Sequence, residues 1–127
     1  MDSGGQQFSV KAEDGYIHLK TWGPLDENRL DEPADAALAL AKEKHIDKLV
    51  DDIREIDSSA LSIPMQAKAM GILWKLRSFQ KVAIVMGQSR VRTLFFSTVD
   101  TLHLDRESKF KGFDSLEEAI AWLHDAN

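Results

Sequence analysis

Apolar and polar residues alternate in two short segments near the start of the chain, residues 8–11 and 16–22. Alternation with a period of two is typical of a half-buried strand. The Asp14-Gly15 pair between the segments favours a tight hairpin turn, and Gly23-Pro24 is expected to end the second strand. The sequence therefore predicts an antiparallel β-hairpin behind a flexible tail of residues 1–7.

The rest of the chain alternates between segments of helical and of strand character. Apolar residues recur at i, i+3 and i+4 in the helical segments, and the strand segments are short and rich in β-branched residues. Helices are predicted over residues 30–45, 62–79, 89–104 and 115–123, and strands over residues 48–56, 81–86 and 108–114. Asp26 or Asp31 is expected to cap the first helix, with Pro33 in its first turn. Ser115 and Glu118 form a capping box for the last helix.

This order of elements predicts an α/β fold. A hairpin followed by strand–helix units gives a mixed sheet of four or five strands, and right-handed crossovers join its parallel strands. Within the predicted strand over residues 81–86, an uninterrupted apolar run follows Lys81, which indicates a strand buried on both faces. We therefore expect a single domain over residues 8–127, with helices mainly on one face of the sheet.

Composition narrows the functional classes. The 127 residues include no cysteine, which excludes disulfides, thiolate metal sites and a cysteine nucleophile. The net charge of −5 disfavours attraction of the whole domain to nucleic acid. The chain has neither a signal-peptide pattern nor an apolar run of membrane-spanning length. A cytoplasmic protein that binds no nucleic acid is the expectation.

Four stretches of the sequence together resemble a known family. They are WGPLDENRL (residues 22–30), KLVDDIREIDSSALS (48–62), SRVRTLFFSTVDTLHL (89–104) and FKGFDSLEEAIAWL (110–123). Their order and spacing resemble the STAS domain, the fold of bacterial anti-sigma factor antagonists. The resemblance is greater to the SpoIIAA-like branch of that family, which is similar to lipid-transfer domains. It covers nearly the whole chain and implies a STAS-like fold with a regulatory or binding role rather than catalysis.

The same resemblance implies a phosphorylation site. In phosphorylatable members the acceptor is the first serine after a strand-ending aspartate, which here is Ser58 after Asp57, with Ser59 as the neighbouring candidate. A phosphate there would lie near a helix N-terminus, whose free N–H groups favour an anion. The residues alone favour the simpler interpretation that these serines cap the helix. The chain also has Ala60-Leu61-Ser62 where the family has Gly-Leu-Gly, so it lacks the backbone freedom of glycine at this turn.

The predicted helix over residues 62–79 has two apolar stripes. One stripe is sufficient to dock the helix on a sheet, and it consists of Met65, Ala69, Ile72, Leu73, Leu76 and Phe79. The second stripe lies nearly opposite and consists of Ile63, Ala67, Met70 and Trp74. Because one core face does not require the second stripe, its residues predict a contact surface. Three interpretations stay open: a pocket for a hydrophobic ligand with the helix as a lid, a membrane interface, or packing on another helix or subunit. The last is the simplest.

Charged residues supply weaker candidates. Arg90 and Arg92 begin the predicted third helix, where they oppose its dipole and are available for an anion or an acidic partner. Asp51 and Asp52 lie near the end of a strand, where α/β folds place ligands. No nucleophile or phosphate-binding glycine loop accompanies them, and Asp52 is expected to pair with Arg54 or with an arginine of the third helix. The four histidines lie on four elements without metal-ligand spacing.

The sequence thus predicts a non-enzymatic regulatory or binding module that needs no catalytic residue, metal or cofactor. Its expected working surface is the loop and helix over residues 57–79, with Asp57, Ile63, Met70, Trp74, Arg90 and Arg92 as the contacting residues. One hypothesis is binding of a hydrophobic or anionic small ligand, or of a membrane surface. The alternative is a protein-interaction switch of the anti-sigma factor antagonist type, controlled by phosphorylation at Ser58. Monomer and homodimer are both compatible with the sequence.

Overall fold

A five-stranded sheet forms the centre of the protein. The structure is a computed structural model that describes residues 6–57, 63–86 and 109–125. Its elements are β1 (Gln7–Ala12), β2 (Ile17–Pro24), α1 (Glu32–Lys44), β3 (Lys48–Asp57), α2 (Ile63–Leu76), β4 (Lys81–Val85), β5 (Phe110–Phe113) and α3 (Leu116–Leu123). The strands lie in chain order, β1-β2-β3-β4-β5. β1 is antiparallel to β2, and the pairs from β2 to β5 are parallel. The predicted α/β fold with a mixed sheet is therefore confirmed.

The predicted hairpin joins β1 to β2. Gly15 has a positive φ of 85°, and the Glu13 N–H donates a hydrogen bond of 2.8 Å to the Tyr16 carbonyl. The second strand is longer than predicted, because β2 continues through Gly23 to Pro24, which lies opposite Asp57 of β3. Proline is tolerated there because it stands at the end of the strand.

Gln6 and Gln7 belong to the fold, although the sequence placed them in the tail of residues 1–7. β1 begins at Gln7, and the side chain of Gln6 is buried. The Gln6 Nε2 donates to the Arg29 carbonyl at 2.9 Å, and its Oε1 accepts from the Asp26 N–H at 3.1 Å. The Gln6 amide thereby satisfies backbone groups of the β2–α1 connection. That partnership is between residues distant in sequence, so local composition gave no sign of it.

Helices cover both faces of the sheet. α1 and α2 pack on one face, which we call the α1/α2 face, and α3 packs on the other, the α3 face. Because successive strand residues point to opposite sides, the apolar strands contribute to both cores. Ile17, Leu19, Leu49, Val82 and Ile84 point to the α1/α2 face, and Tyr16, Val50, Ala83 and Val85 point to the α3 face.

The helix ends follow from local sequence. Pro33 lies in the first turn of α1 as predicted, and Asp31 is the residue at its N-cap, although its side chain forms no capping hydrogen bond. The predicted capping box of α3 is present: the Glu118 N–H donates to Ser115 Oγ at 3.2 Å, and this hydroxyl donates to Glu118 Oε1 at 3.1 Å. The predicted helix over residues 89–104 lies outside the described residues. None of the described helices has both the length and the apolar character needed to cross a bilayer.

Candidate functional site

α2 presents one apolar face to the core and a second to solvent. Met65, Leu73 and Leu76 are buried, and Leu73 and Leu76 belong to the core on the α1/α2 face. On the opposite side lie Ile63, Ala67, Met70 and Trp74, which we call the outer face of α2. Ile63 is 81% exposed and Trp74 is 46% exposed, whereas Met70 is partly buried. From Ile63 to Trp74 this face is about 16 Å long at 1.5 Å per residue. The structure thus brings three of the predicted contact residues together.

Basic residues border the outer face. The Lys75 Nζ lies 2.9 Å from Asp35 Oδ1 of α1, and the Lys68 Nζ donates to the Glu27 carbonyl at 2.8 Å. These two lysines hold α2 against α1 and the β2–α1 loop. Arg77 lies on the other flank, where its guanidinium carbon is 4.2 Å from the centroid of the Trp74 ring. This cation–π contact places a positive charge beside the largest exposed apolar side chain.

The charge of this region is opposite to that of the whole chain. Between Asp57 and Asp100 the sequence has six lysines and arginines and no aspartate or glutamate. The remaining sequence therefore carries all 21 acidic residues of a chain whose net charge is −5. The sequence shows this uneven distribution of charge, but the prediction of the contact surface did not use it. Arg77, which the prediction also omitted, belongs to it.

The two neighbouring aspartates of β3 have different environments. Burial alone would raise the pKa of Asp52, but the hydrogen bonds from Arg54 outweigh it and hold this pKa below its ordinary value. Arg54 donates from Nε to Oδ1 at 3.0 Å and from Nη2 to Oδ2 at 2.8 Å. Asp52 thus pairs with Arg54, as predicted. Desolvation by burial, with a smaller effect of the Asp52 charge, raises the pKa of Asp51 to about 7.

Asp51 and Asp52 do not converge on one acid–base site. Asp52 follows Val50 on the α3 face, whereas Asp51 follows Leu49 on the α1/α2 face. The two aspartates are adjacent in the sequence, but the pleat of the strand directs their side chains to opposite faces of the sheet. Within residues 6–57, 63–86 and 109–125, no three histidine, aspartate or glutamate side chains are grouped to hold a metal ion.

The remaining candidates are dispersed or outside the described residues. Asp57 is the last residue of β3. Ser58, Ser59, Arg90 and Arg92 lie outside the described residues.

The histidines are as scattered as the sequence indicated. His45 ends α1 in the left-handed conformation. His124 stacks edge-on against Tyr16, with ring centroids 5.9 Å apart. His18 lies in β2, where its Nε2 is buried without a hydrogen-bond partner among the described residues, and His103 is outside them.

The family model and the similar solved structures agree on the SpoIIAA-like fold. The family model described as SpoIIAA-like matches residues 16–124, and a search of curated proteins finds no match. An anti-sigma factor antagonist from Mycobacterium paratuberculosis has a similar structure, with a TM-score of 0.67 at 18% identity over 98% of each chain. An uncharacterised protein with a SpoIIAA-like fold from Shewanella loihica has a TM-score of 0.59 at 22% identity over 97% of each chain.

Proposed function

The chain belongs to the SpoIIAA-like family, and on that premise we propose that it is a non-enzymatic binding module of the STAS type that docks on an anionic membrane surface through α2. The observation that carries this proposal is the outer face of α2. Ile63 and Trp74 are the large apolar side chains that are exposed among the described residues. Exposed apolar patches on small proteins tend to mark contact sites.

The charge of α2 supports an anionic surface as the target. Arg77 contributes positive charge beside the apolar stripe, since Lys75 is paired with Asp35 and Lys68 donates to the Glu27 carbonyl. The helix itself has no acidic residue. Tryptophan next to basic side chains is typical of helices that lie in the headgroup region of a bilayer. Arg77 beside the exposed Trp74, next to a helix without acidic residues, suits an anionic, partly apolar surface.

Sedimentation with lipid vesicles tests the proposal. We expect binding to vesicles of phosphatidylcholine mixed with phosphatidylglycerol, and weaker binding to phosphatidylcholine alone. The double substitution Ile63→Ser with Trp74→Ser removes the exposed apolar contacts, and it is expected to weaken binding by about tenfold or more. Arg77→Glu reverses a charge beside the same stripe and is expected to weaken binding to the anionic vesicles selectively.

Lys42→Glu is the matched control, because it makes the same charge change on the exposed last turn of α1. It should bind vesicles nearly as wild type does. Equal binding by wild type and the double variant, or equal effects of Arg77→Glu and Lys42→Glu, would contradict docking through α2. Native mass spectrometry of the purified protein reports in parallel whether a hydrophobic small ligand is retained and whether the protein is a monomer or a homodimer.

A second candidate function is a protein-interaction switch controlled at Ser58. Its support is the likeness of fold to an anti-sigma factor antagonist and the position of Ser58 directly after Asp57, the end of β3. If the switch operates, protein isolated from its own organism carries the mass of one phosphate, and that mass disappears in Ser58→Ala. Absence of the phosphate under all growth conditions would count against the switch. That outcome would leave membrane docking unaffected.

A further inference from the structure

β1 lies at an edge of the sheet, and half of its backbone groups point away from β2. The Glu13 N–H donates to the Tyr16 carbonyl at 2.8 Å, which makes these two residues a hydrogen-bonded pair next to the turn. Such pairs alternate along an antiparallel ladder, so the odd-numbered residues of β1 bond to β2. The N–H and carbonyl groups of Phe8, Val10 and Ala12 therefore face the outer edge, where no other described strand pairs with them.

β1 lacks the features by which edge strands resist further pairing. Natural edges are protected by proline, bulges, charged residues or short length. The register of β1 with β2 is continuous over six residues, QFSVKA, which include no proline and a single charge at Lys11. The opposite edge, β5, has four residues, among them Lys111 and Gly112. Among the described strands, β1 is therefore the edge that suits pairing with a further strand.

The core on the α1/α2 face is incompletely covered at this edge. Phe8 and Val10 pack against that core but stay partly exposed. α1 packs over β1 and β2, and its Asp35 faces α2, where it pairs with Lys75. Leu40 lies about 140° around α1 from Asp35, which places it on the side towards β1, and it is also partly exposed. A second strand beside β1, with its own helix above it, would cover these three apolar side chains.

The sequence of β1 is complementary to a second copy of itself in antiparallel orientation. With a two-fold axis at Ser9, Phe8 lies opposite Val10 of the second copy, and Lys11 lies opposite its Gln7. The outward-facing groups of Phe8 and Val10 then meet in about four main-chain hydrogen bonds. Aromatic side chains opposite β-branched ones stabilise such strand pairs, whereas an axis at Lys11 would place like charges opposite each other. The sequence therefore fits a register centred on Ser9.

From these observations we infer that β1 pairs with β1 of a second copy, so that two sheets join into one across a two-fold axis. The edge is about 20 Å long at 3.4 Å per residue, which is short for a protein interface, so the dimer should dissociate on dilution. A two-fold axis perpendicular to the sheet keeps the α1/α2 faces of both copies on the same side. The outer faces of both α2 helices then point towards the same surface. This consequence rests on the proposed membrane docking, whereas the pairing of β1 does not.

Sedimentation equilibrium of the full chain at a series of protein concentrations tests the inference. Wild type should shift from monomer to dimer as its concentration rises. Val10→Pro removes an N–H that faces the outer edge rather than β2, so dimerisation should weaken about tenfold or more. Val10→Thr is the matched control, because it keeps this N–H and the branched shape, and it should dimerise as wild type does. A wild type that stays monomeric, or equal dimerisation of Val10→Pro and Val10→Thr, would overturn the inference.

Cross-linking provides a test that does not depend on the folding of Val10→Pro. The chain has no cysteine, so Ser9→Cys introduces a single thiol, and pairing at β1 brings it close to its equivalent in the second copy. This variant should form a disulfide-linked dimer under mild oxidation about tenfold faster than Ser78→Cys, because pairing raises the local concentration of the thiol at Ser9. Ser78 is exposed just after α2, and equal rates would contradict pairing at β1. The Ile63→Ser, Trp74→Ser variant should still dimerise while it loses vesicle binding, which separates failure of this inference from failure of membrane docking.

Discussion

At the scale of single residues, Asp51 and Asp52 show how one strand gives adjacent carboxyls opposite properties. Asp52 receives three hydrogen bonds from Arg54, two from its guanidinium and one from its backbone N–H, which favour its charged form. Asp51 lies on the other face without such a donor among the described residues, so desolvation favours its neutral form. Their pKa values therefore move in opposite directions from the ordinary value.

These shifts predict opposite pH dependences of stability. The pKa of Asp51 rises from 3.8 to about 7 on folding, so the folded state keeps a proton that the unfolded chain releases, and stability falls as pH rises between these values. The stability of Asp51→Asn relative to wild type should therefore increase as pH rises from 4 to 7. At pH 8 its free energy of unfolding should exceed that of wild type by an amount on the order of 1–3 kcal/mol. The pKa of Asp52 falls, so its contribution is present at neutral pH and is lost as pH falls through the lowered value. Asp52→Asn should accordingly destabilise the protein at pH 8.

Urea unfolding of wild type, Asp51→Asn and Asp52→Asn at pH 4.5 and pH 8 measures both effects. The two variants are each other's controls, because the chemical change is the same one position apart on β3. If both variants change the free energy of unfolding at pH 8 by the same sign and size relative to wild type, the two carboxyls do not differ as described.

At the scale of elements, α2 carries two features that its packing against the sheet does not require. Gly71 is exposed within it, and a Cβ added there would meet no atom within 4 Å. Glycine inside a helix is unfavourable relative to alanine because more backbone freedom is lost on folding. The helix thus carries a destabilising residue next to an exposed apolar stripe, and packing against the sheet explains neither feature.

Gly71→Ala is expected to stabilise the protein by about 0.5–1 kcal/mol, because the methyl group enters open space and the helical backbone already suits alanine. Thermal unfolding measures the change. Gly15→Ala is the control with the opposite sign, because Gly15 has a φ of 85°, a conformation that alanine rarely adopts. Stabilisation by both substitutions, or by neither, would contradict this account of the two glycines.

At the scale of the whole molecule, the distribution of charge is more informative about possible binding surfaces than the net charge. A net charge of −5 suggests a protein that anionic surfaces repel, yet the segment between Asp57 and Asp100 is free of acidic residues. α2 lies within this segment, and Arg77, directly after the helix, lies beside Trp74 of the outer face. The proposed docking surface therefore lies in the part of the sequence that has no acidic residue.

This polarity predicts salt-sensitive binding to anionic vesicles. The screening length falls from about 10 Å at 0.1 M salt to about 3 Å at 1 M, so the vesicle-bound fraction should fall strongly over that range. The apolar contribution of Ile63 and Trp74 to vesicle binding should remain at high salt. The double serine variant removes that contribution. Sedimentation across a series of sodium chloride concentrations measures the dependence, and binding that is unchanged by salt would contradict an electrostatic contribution.

The sequence by itself determined the elements among the described residues and their order, because hydrophobic periodicity, Asp14-Gly15 at the turn and the Ser115–Glu118 capping box act over a few residues. It also determined that α2 has a second apolar stripe, since helical geometry fixes which residues share a face. Only the tertiary structure decided which stripe is exposed, that Gln6 belongs to the fold, and that Asp51 and Asp52 point to opposite cores. Those properties depend on strand register and on contacts between residues far apart in the chain, which no local pattern records.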